Sequence, residues 1–321
     1  MSDGAPLLSV ENLRVQHRSA RGEVCVVDGV GFDIAAGGTL GIVGESGSGK
    51  SQTALALLGL SGASASVSGR LMFDGEDLLQ LSAARRRALR GARIAMVFQD
   101  PMASLNPYLR IGVQLAEVLQ THRGASRAAA WAEAARTLDA VRVSAAAQRL
   151  QQYPHELSGG MRQRVMIAMA IIAGPQLLIA DEPTTALDPT VQAQVLGLLD
   201  ELRRERGLAI LLITHDLGVM ARLCERTLVM YAGRVVEAGA TRELLQRPRH
   251  PYTAALLRAR PTMQHPAGLP LDALPGQPPD PRQAIAGCRF APRCPQRRAD
   301  CSESPPPWQH GAACRYPVAP G

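Results

Sequence analysis

Eight consecutive residues carry the sharpest chemistry in this sequence. Gly44-Glu45-Ser46-Gly47-Ser48-Gly49-Lys50-Ser51 follow the spacing G-x-x-x-x-G-K-[ST]. Glycines at these spacings let a backbone curl until successive N–H groups point inward at an anion. A helix starting near Lys50 adds the positive end of its dipole. In such a loop the lysine reaches the β- and γ-phosphates of a nucleotide, and the Ser51 hydroxyl ligates Mg2+. The plain alternative is a Gly/Ser-rich turn, and the apolar run before it and the helical pattern after it weigh against that. A second constellation is Leu177-Leu178-Ile179-Ala180-Asp181-Glu182, a buried-strand pattern ending in two acids. Asp181 at the strand's carboxyl end suits Mg2+ held through water, and Glu182 falls one residue further on, near an attacking water.

Composition sharpens the first motif. Of 35 basic residues, 34 are Arg, and Lys50 is the only lysine. An ammonium is a compact point charge and a guanidinium a wide planar fork, so a site that accepts only the compact ion is suggested. The formal net charge of +7 and pI near 9.5 are spread along the chain. The densest basic run, Arg85 to Arg87, reads as a solvated helix face rather than a nucleic-acid footprint. No apolar run approaches the ~20 residues that span a bilayer. Residues 1–10 lack the pattern of an export signal. The expectation is a cytosolic protein that reaches a membrane only through partners.

The elements that must position these motifs alternate. Thr39–Val43 and the stretches 93–97, 177–180 and 209–213 read as short buried strands, rich in aliphatics and bounded by Gly, Asp or Thr. Helices are predicted over 50–60, Pro189–Arg206 and 216–223. Strand-then-helix alternation implies an α/β fold with a largely parallel sheet covered on both faces. Stretches 7–10, 24–27 and 70–73 read as strands of an antiparallel layer. Between Asp100 and Ala173 the pattern is helical only (111–120, 126–141 and 158–173), an insertion within the α/β domain. From residue 260 the chain holds 14 of its 23 prolines and four of its six cysteines. That composition predicts a tail without regular helices or sheet interiors.

Leu157-Ser158-Gly159-Gly160-Met161-Arg162-Gln163 precede the Asp181–Glu182 pair by about twenty residues and open a helix. Together with Gln99, Ala186-Leu187-Asp188 and His215, this makes the chain resemble the nucleotide-binding subunits of ABC transporters over roughly residues 7–257. The resemblance implies a P-loop NTPase fold with an antiparallel β layer and a helical subdomain near 101–173. It implies a nucleotide-binding domain over 1–258 and an extension over 259–321. ATP would contact Gly44 to Ser51, Gln52 and Asp181, with Mg2+ held by Ser51 and Gln99. Glu182 is implied as the general base and His215 as a switch contacting the γ-phosphate. Ser158, Gly159 and Gly160 would contact the nucleotide held by an opposing subunit, and Asp188 would shape that interface. Gln99 would pass closure to segment 101–108, which docks a membrane partner. Two positions depart from the pattern. Met161 stands where the commonest signature has glutamine. His17 occupies the region that usually offers an aromatic ring to adenine, and reads either as a weak stacking partner or as an exposed strand-end histidine.

Cys288, Cys294, Cys301 and Cys314 follow C-x5-C-x6-C-x12-C. Four converging thiolates suit Zn2+ or an iron–sulfur cluster, although the tight C-x2-C knuckle favoured by zinc is missing. This end resembles the C-terminal extension of ATPases serving dipeptide and oligopeptide importers. The likeness lies in His250-Pro251-Tyr252-Thr253, Leu274-Pro275-Gly276 and the run from Gly287 to Cys294. It implies a [4Fe-4S] cluster, with Zn2+ or no metal as alternatives. Cys25 and Cys224 are expected to be buried small hydrophobes. The implied function is an ATPase subunit on the cytoplasmic face of the inner membrane, driving peptide uptake. Its implied partners are a related but distinct ATPase subunit, two permease subunits and, indirectly, a solute-binding protein. Nickel or another small solute stays open as cargo. A nucleic-acid-directed ABC ATPase is the rival from another class, disfavoured by the lack of a second ATPase half or a coiled-coil insertion.

Overall fold

The structure, a computed structural model, describes residues 5–19, 22–185, 187–259, 274–283 and 285–318. Ala186 and the stretch 260–273 lie outside the described residues. The chain divides into two compact units. The first is built from Ile34–Thr39 and Asp74–Ile213, with the short stretch ending at Leu7. The second is built from Leu8–Asp33, Leu40–Phe73 and the chain from Thr214 onward.

The first unit holds parallel strands Ile94–Val97, Leu177–Asp181 and Ala209–Thr214, with Leu177–Asp181 in the middle. Ile94 pairs with Leu177, and Leu177 with Ala209. Leu177–Asp181 is buried along its whole length. That explains its unbroken aliphatic run, since a parallel strand covered on both faces has no solvent side to mark with polar residues. Asp181 is the strand's last residue and remains buried. Helices Ile111–Arg123, Arg127–Ala140 and Gly159–Ile171 pack on one another in the expected insertion. Gly112 is required where two of them meet, because a methyl there would overlap the Trp131 ring. Pro189–Arg206 is the best-punctuated helix of this unit. Asp188 Oδ1 accepts from the N–H groups of Thr190 and Val191 (3.0 Å each), Pro189 opens it, and Gly207 ends it at φ 63°.

The second unit has an antiparallel layer in which Leu8–Ser19 lies between Gly22–Ile34 and Ala65–Phe73. These strands are much longer than the apolar cores that signal them in the sequence. Leu8 pairs with Phe73 and His17 with Ala65, with the register shifting between Glu11 and Arg14. Thr39–Val43, whose first residue falls in the other unit, runs parallel to Arg226–Tyr231 (Leu40 opposite Arg226). Arg226–Tyr231 turns at Ala232-Gly233 into the antiparallel strand Arg234–Ala240. These last two strands are not among those expected from the sequence. The tail expectation also needs correction. The hairpin Trp308–Gln309 and Ala312–Ala313 pairs with the edge at Glu237, so part of the proline-rich end does join a sheet. Two short 3-10 turns, Ala291–Arg293 and Ala299–Ser302, make up its remaining regular structure among the described residues.

Candidate functional site

The phosphate-loop residues lie between the buried strand Thr39–Val43 and the helix Lys50–Leu57. Gly44 has no room for a side chain, since a methyl would overlap the Met230 carbonyl oxygen. Gly49 precedes the helix at φ 100°, a conformation an L side chain rarely adopts. No side chain caps this helix and no acidic residue lies in its first turn, which leaves its positive end for an anion. Lys50 is 6% exposed. Its ammonium donates to the carbonyl oxygens of Gly44 (2.8 Å) and Glu45 (2.9 Å), with Ser48 Oγ at 3.5 Å. The loop is thus curled around the one lysine. Gln52 Oε1 meets His17 Nε2 at 3.0 Å, so His17 is half-buried and tied to the loop's helix rather than free at a strand end.

The first unit brings together three other residues. Glu182 follows the strand that ends at Asp181 and holds φ 49°, a left-handed conformation rare for a residue with a side chain. Its N–H donates to the Ile213 carbonyl (2.8 Å). Its carboxylate accepts from Gln99 Nε2 (3.1 Å) and Thr185 Oγ1 (2.8 Å). The backbone strain and the two donors together fix where the carboxylate points. Ser158 caps the helix Gly159–Ile171 through Oγ, which accepts from Met161 N–H at 3.4 Å. Ser158 and Gly159 are exposed at that helix start. Gly160 abuts Val191, in the first turn of the helix that Asp188 caps. The signature residues and Asp188 therefore belong to one local surface. In the second unit, His215 is exposed directly after the strand Ala209–Thr214. It does not cap the helix that follows. Asp216 does, accepting from Gly218 (2.6 Å) and Val219 (3.4 Å).

The four tail cysteines are free thiols. All four line one small cavity with His250, Phe290 and Tyr316. Burial pushes the Cys314 thiol up to about 11, and the neighbouring Cys288, Cys294 and Cys301 add to the rise. Burial likewise raises Cys288 and Cys294. Among the described residues no three His, Cys, Asp or Glu side chains close on a single-ion site. Of the isolated cysteines, Cys224 is buried, its thiol pushed by burial up to about 12. Cys25 is only half-buried and donates to the Val27 carbonyl (3.2 Å).

Several residues around the loop escape sequence reasoning. Tyr252 Oη accepts from Glu45 N–H (2.9 Å), and the Glu45 carboxylate takes a two-pronged ion pair from Arg293 (2.7 and 3.0 Å). Both lie in segments that stand out in the sequence, His250–Thr253 and Gly287–Cys294, but nothing in their spacing points at the loop.

The chain belongs to the ABC transporter family and is an ATPase of that class. The family model for ABC transporters matches residues 27–185. The model for the oligopeptide/dipeptide transporter C-terminal region matches residues 236–301. The oligopeptide transport ATP-binding protein OppD of Salmonella typhimurium is 52% identical over 300 residues, covering 94% of this chain and 89% of that protein. A probable peptide ABC transporter ATP-binding protein of Sinorhizobium fredii is 47% identical over 315 residues, with 96% and 94% covered. Among solved structures, the dimeric ATP-binding cassette MJ0796 bound to ADP and Pi superposes with a TM-score of 0.66 at 27% identity. It covers 73% of this chain and 98% of the cassette. CbiO1 of Clostridium perfringens gives a TM-score of 0.65 at 28% identity, covering 75% and 91%. Among the described residues no helix is long and apolar enough to cross a membrane.

Proposed function

We propose that this chain binds and hydrolyses ATP at the Lys50 loop and thereby drives oligopeptide uptake through a membrane-embedded permease pair. The observation that carries this reading is the loop itself, an ammonium held on loop carbonyls at the start of an uncapped helix. The likeness to oligopeptide transport ATP-binding proteins supplies the cargo. Loop N–H groups and the helix dipole hold the phosphates, and Lys50 exchanges its carbonyl partners for phosphate oxygens. Ser51 and Gln99 would hold Mg2+, with Asp181 acting through water. Glu182, oriented by Gln99 and Thr185, takes the proton of the attacking water. His215 contacts the γ-phosphate.

The exposed start of the Ser158 helix is a second anion-binding element, and we assign it to the nucleotide of a second ATPase subunit. A solved cassette of this fold is dimeric, and on this chain Asp188 lies on the same surface as the Ser158 helix start. That second subunit is a related but distinct chain, and segment 101–108 docks the permease. Exposed Phe98, Met102 and Tyr108 give this region an apolar face. A solute-binding protein delivers cargo from the far side, and the chain works at the cytoplasmic face of the inner membrane. The nucleotide-binding domain ends near residue 258, where the extension begins. Cys288, Cys294, Cys301 and Cys314 fit a [4Fe-4S] cluster, being four free thiols on one cavity. Bound iron would supply the positive charge that lets such buried thiols ionise. Iron and acid-labile sulfide assays should give about four of each per chain, and stoichiometric zinc would overturn the assignment.

The test of function uses the assembled complex in proteoliposomes with its solute-binding protein. Oligopeptides should stimulate ATP hydrolysis and accumulate in the lumen. Stimulation by nickel or by DNA, with no response to peptide, would refute the cargo assignment.

A further inference from the structure

The turn from Cys288 to Cys294 faces two ways. Its end residues line the four-thiol cavity, while Arg289 and Arg293 reach the phosphate loop and the turn behind it. The Arg293 side chain is only 5% exposed, and all five of its N–H donors have acceptors. Nε donates to the Pro275 carbonyl (2.8 Å), Nη1 to Glu45 (2.7 Å) and Tyr231 Oη (3.3 Å), and Nη2 to Glu45 (3.0 Å) and the Leu274 carbonyl (3.5 Å). Tyr231, Tyr252 and Phe290 pack against one another here, with ring centroids 4.7 to 5.4 Å apart.

Glu45 is held at three points. Its N–H donates to Tyr252 Oη, its carbonyl accepts from Lys50, and its carboxylate takes the Arg293 fork. Lys50 and Arg293 therefore grip the same residue from opposite ends. Behind the loop, Arg289 donates to the Ala232 carbonyl and to Asp28 (2.6 Å). The adjoining Gly233 N–H donates to the Ser48 carbonyl (3.0 Å). One seven-residue turn thus braces the loop at Glu45 and, through Ala232-Gly233, at Ser48. A cradle of N–H groups binds an anion well only when its shape is set beforehand, and a two-pronged arginine pair sets direction as well as distance.

We propose that Arg293 is a positioning residue of the nucleotide site: through Glu45 it holds the Lys50 loop in its anion-binding shape, so that ATP affinity depends on the cysteine-bearing turn. This rests on the reading of the loop as the ATP site. A pair that merely pinned the tail would alter thermal stability and leave ATP affinity alone.

The test measures ATP Kd, KM, kcat and thermal midpoint for the full chain in its transporter complex. The variants are Arg293→Gln, Glu45→Gln, the double variant and Arg293→Lys. Losing a charge-assisted hydrogen-bonded pair should weaken ATP binding by about tenfold or more in each single variant. KM for ATP should rise in step, while kcat stays within about twofold. The double variant should be no weaker than the weaker single, and Arg293→Lys should recover part of the affinity. Unchanged affinity in folded single variants, or losses that multiply in the double variant, would overturn the proposal. Should Arg293→Gln fail to fold, Glu45→Gln decides alone by the same criteria. Lys50→Ala separates the two readings. ATP binding that survives it sinks the loop assignment and the proposal together. Binding lost there but intact in Arg293→Gln and Glu45→Gln sinks the positioning role only.

Discussion

Lys50→Arg conserves charge and should nonetheless impair the nucleotide site. The Lys50 ammonium fits between two carbonyl oxygens at 2.8 and 2.9 Å, with Ser48 Oγ at 3.5 Å. This socket cannot open freely. Gly44 is packed against the Met230 carbonyl, the Ser48 carbonyl is bound by Gly233, and Glu45 is held by Tyr252 and Arg293. A guanidinium is planar and wider, with its donors in a fixed fork. With ATP bound, the wider guanidinium must share this closed loop with the phosphates, and forcing extra volume into a well-packed site costs about 1–3 kcal/mol. At about 1.4 kcal/mol per factor of ten, ATP affinity should fall roughly 5- to 150-fold. Titration with ATP, steady-state hydrolysis and a thermal melt of the same preparation separate this from unfolding. Lys50→Ala, which also removes the charge, should lose at least as much. Wild-type affinity and turnover in Lys50→Arg would refute the reasoning and show the lone lysine among 34 arginines to be chance.

Three further outcomes follow from the same geometry. Gly44→Ala should abolish nucleotide binding, because the added methyl meets a backbone carbonyl that cannot rotate away; calorimetric titration reads this directly. Since Lys50 is the only lysine, amine acylation followed by peptide mapping reports on it alone apart from the α-amino group, and ATP should slow modification of the Lys50 peptide. Asp28 is buried among Arg14, Arg234 and Arg289; burial raises its carboxyl, but the Arg234 hydrogen bond and the three positive charges outweigh that and lower it below 3.8. Its stabilising contribution is therefore present above pH 3.8 and lost as pH falls through the lower folded value. Asp28→Asn should cost about 1–2 kcal/mol at neutral pH, since Arg14 and Arg234 stay partly in solvent, and flatten this acid limb in denaturant titrations.

The parts of the site written in contiguous residues are legible in the sequence itself. Gly44 to Ser51 announce their loop because strand, glycines, lysine and helix follow one another directly. Pro189–Arg206 is bounded to the residue because Asp188, Pro189 and Gly207 are local signals. Strand length is legible only where both faces are buried. Leu8–Ser19 and Gly22–Ile34 alternate buried and exposed positions along much of their length, so only their apolar cores stand out. The run Thr227-Leu228-Val229-Met230-Tyr231 does carry a strand signal and a turn at Ala232-Gly233, but it is easily passed over among the helical patterns around it. The clamp on Glu45 cannot be read at all. Arg293 lies 248 positions away, and in a chain with 34 arginines nothing distinguishes one that forms a buried fork. The positive φ of Glu182 is equally silent, because glutamate does not advertise a left-handed backbone as glycine does.

The assignment on which the rest depends is ATP hydrolysis with Glu182 as the base. Glu182→Gln keeps the side chain's size and can still bond Gln99 and Thr185, but it cannot take a proton from water. ATP affinity and turnover, measured side by side on that variant, decide the matter. Affinity should stay at the wild-type level while hydrolysis falls by about a hundredfold or more; hydrolysis at the wild-type rate would remove Glu182 from the chemistry.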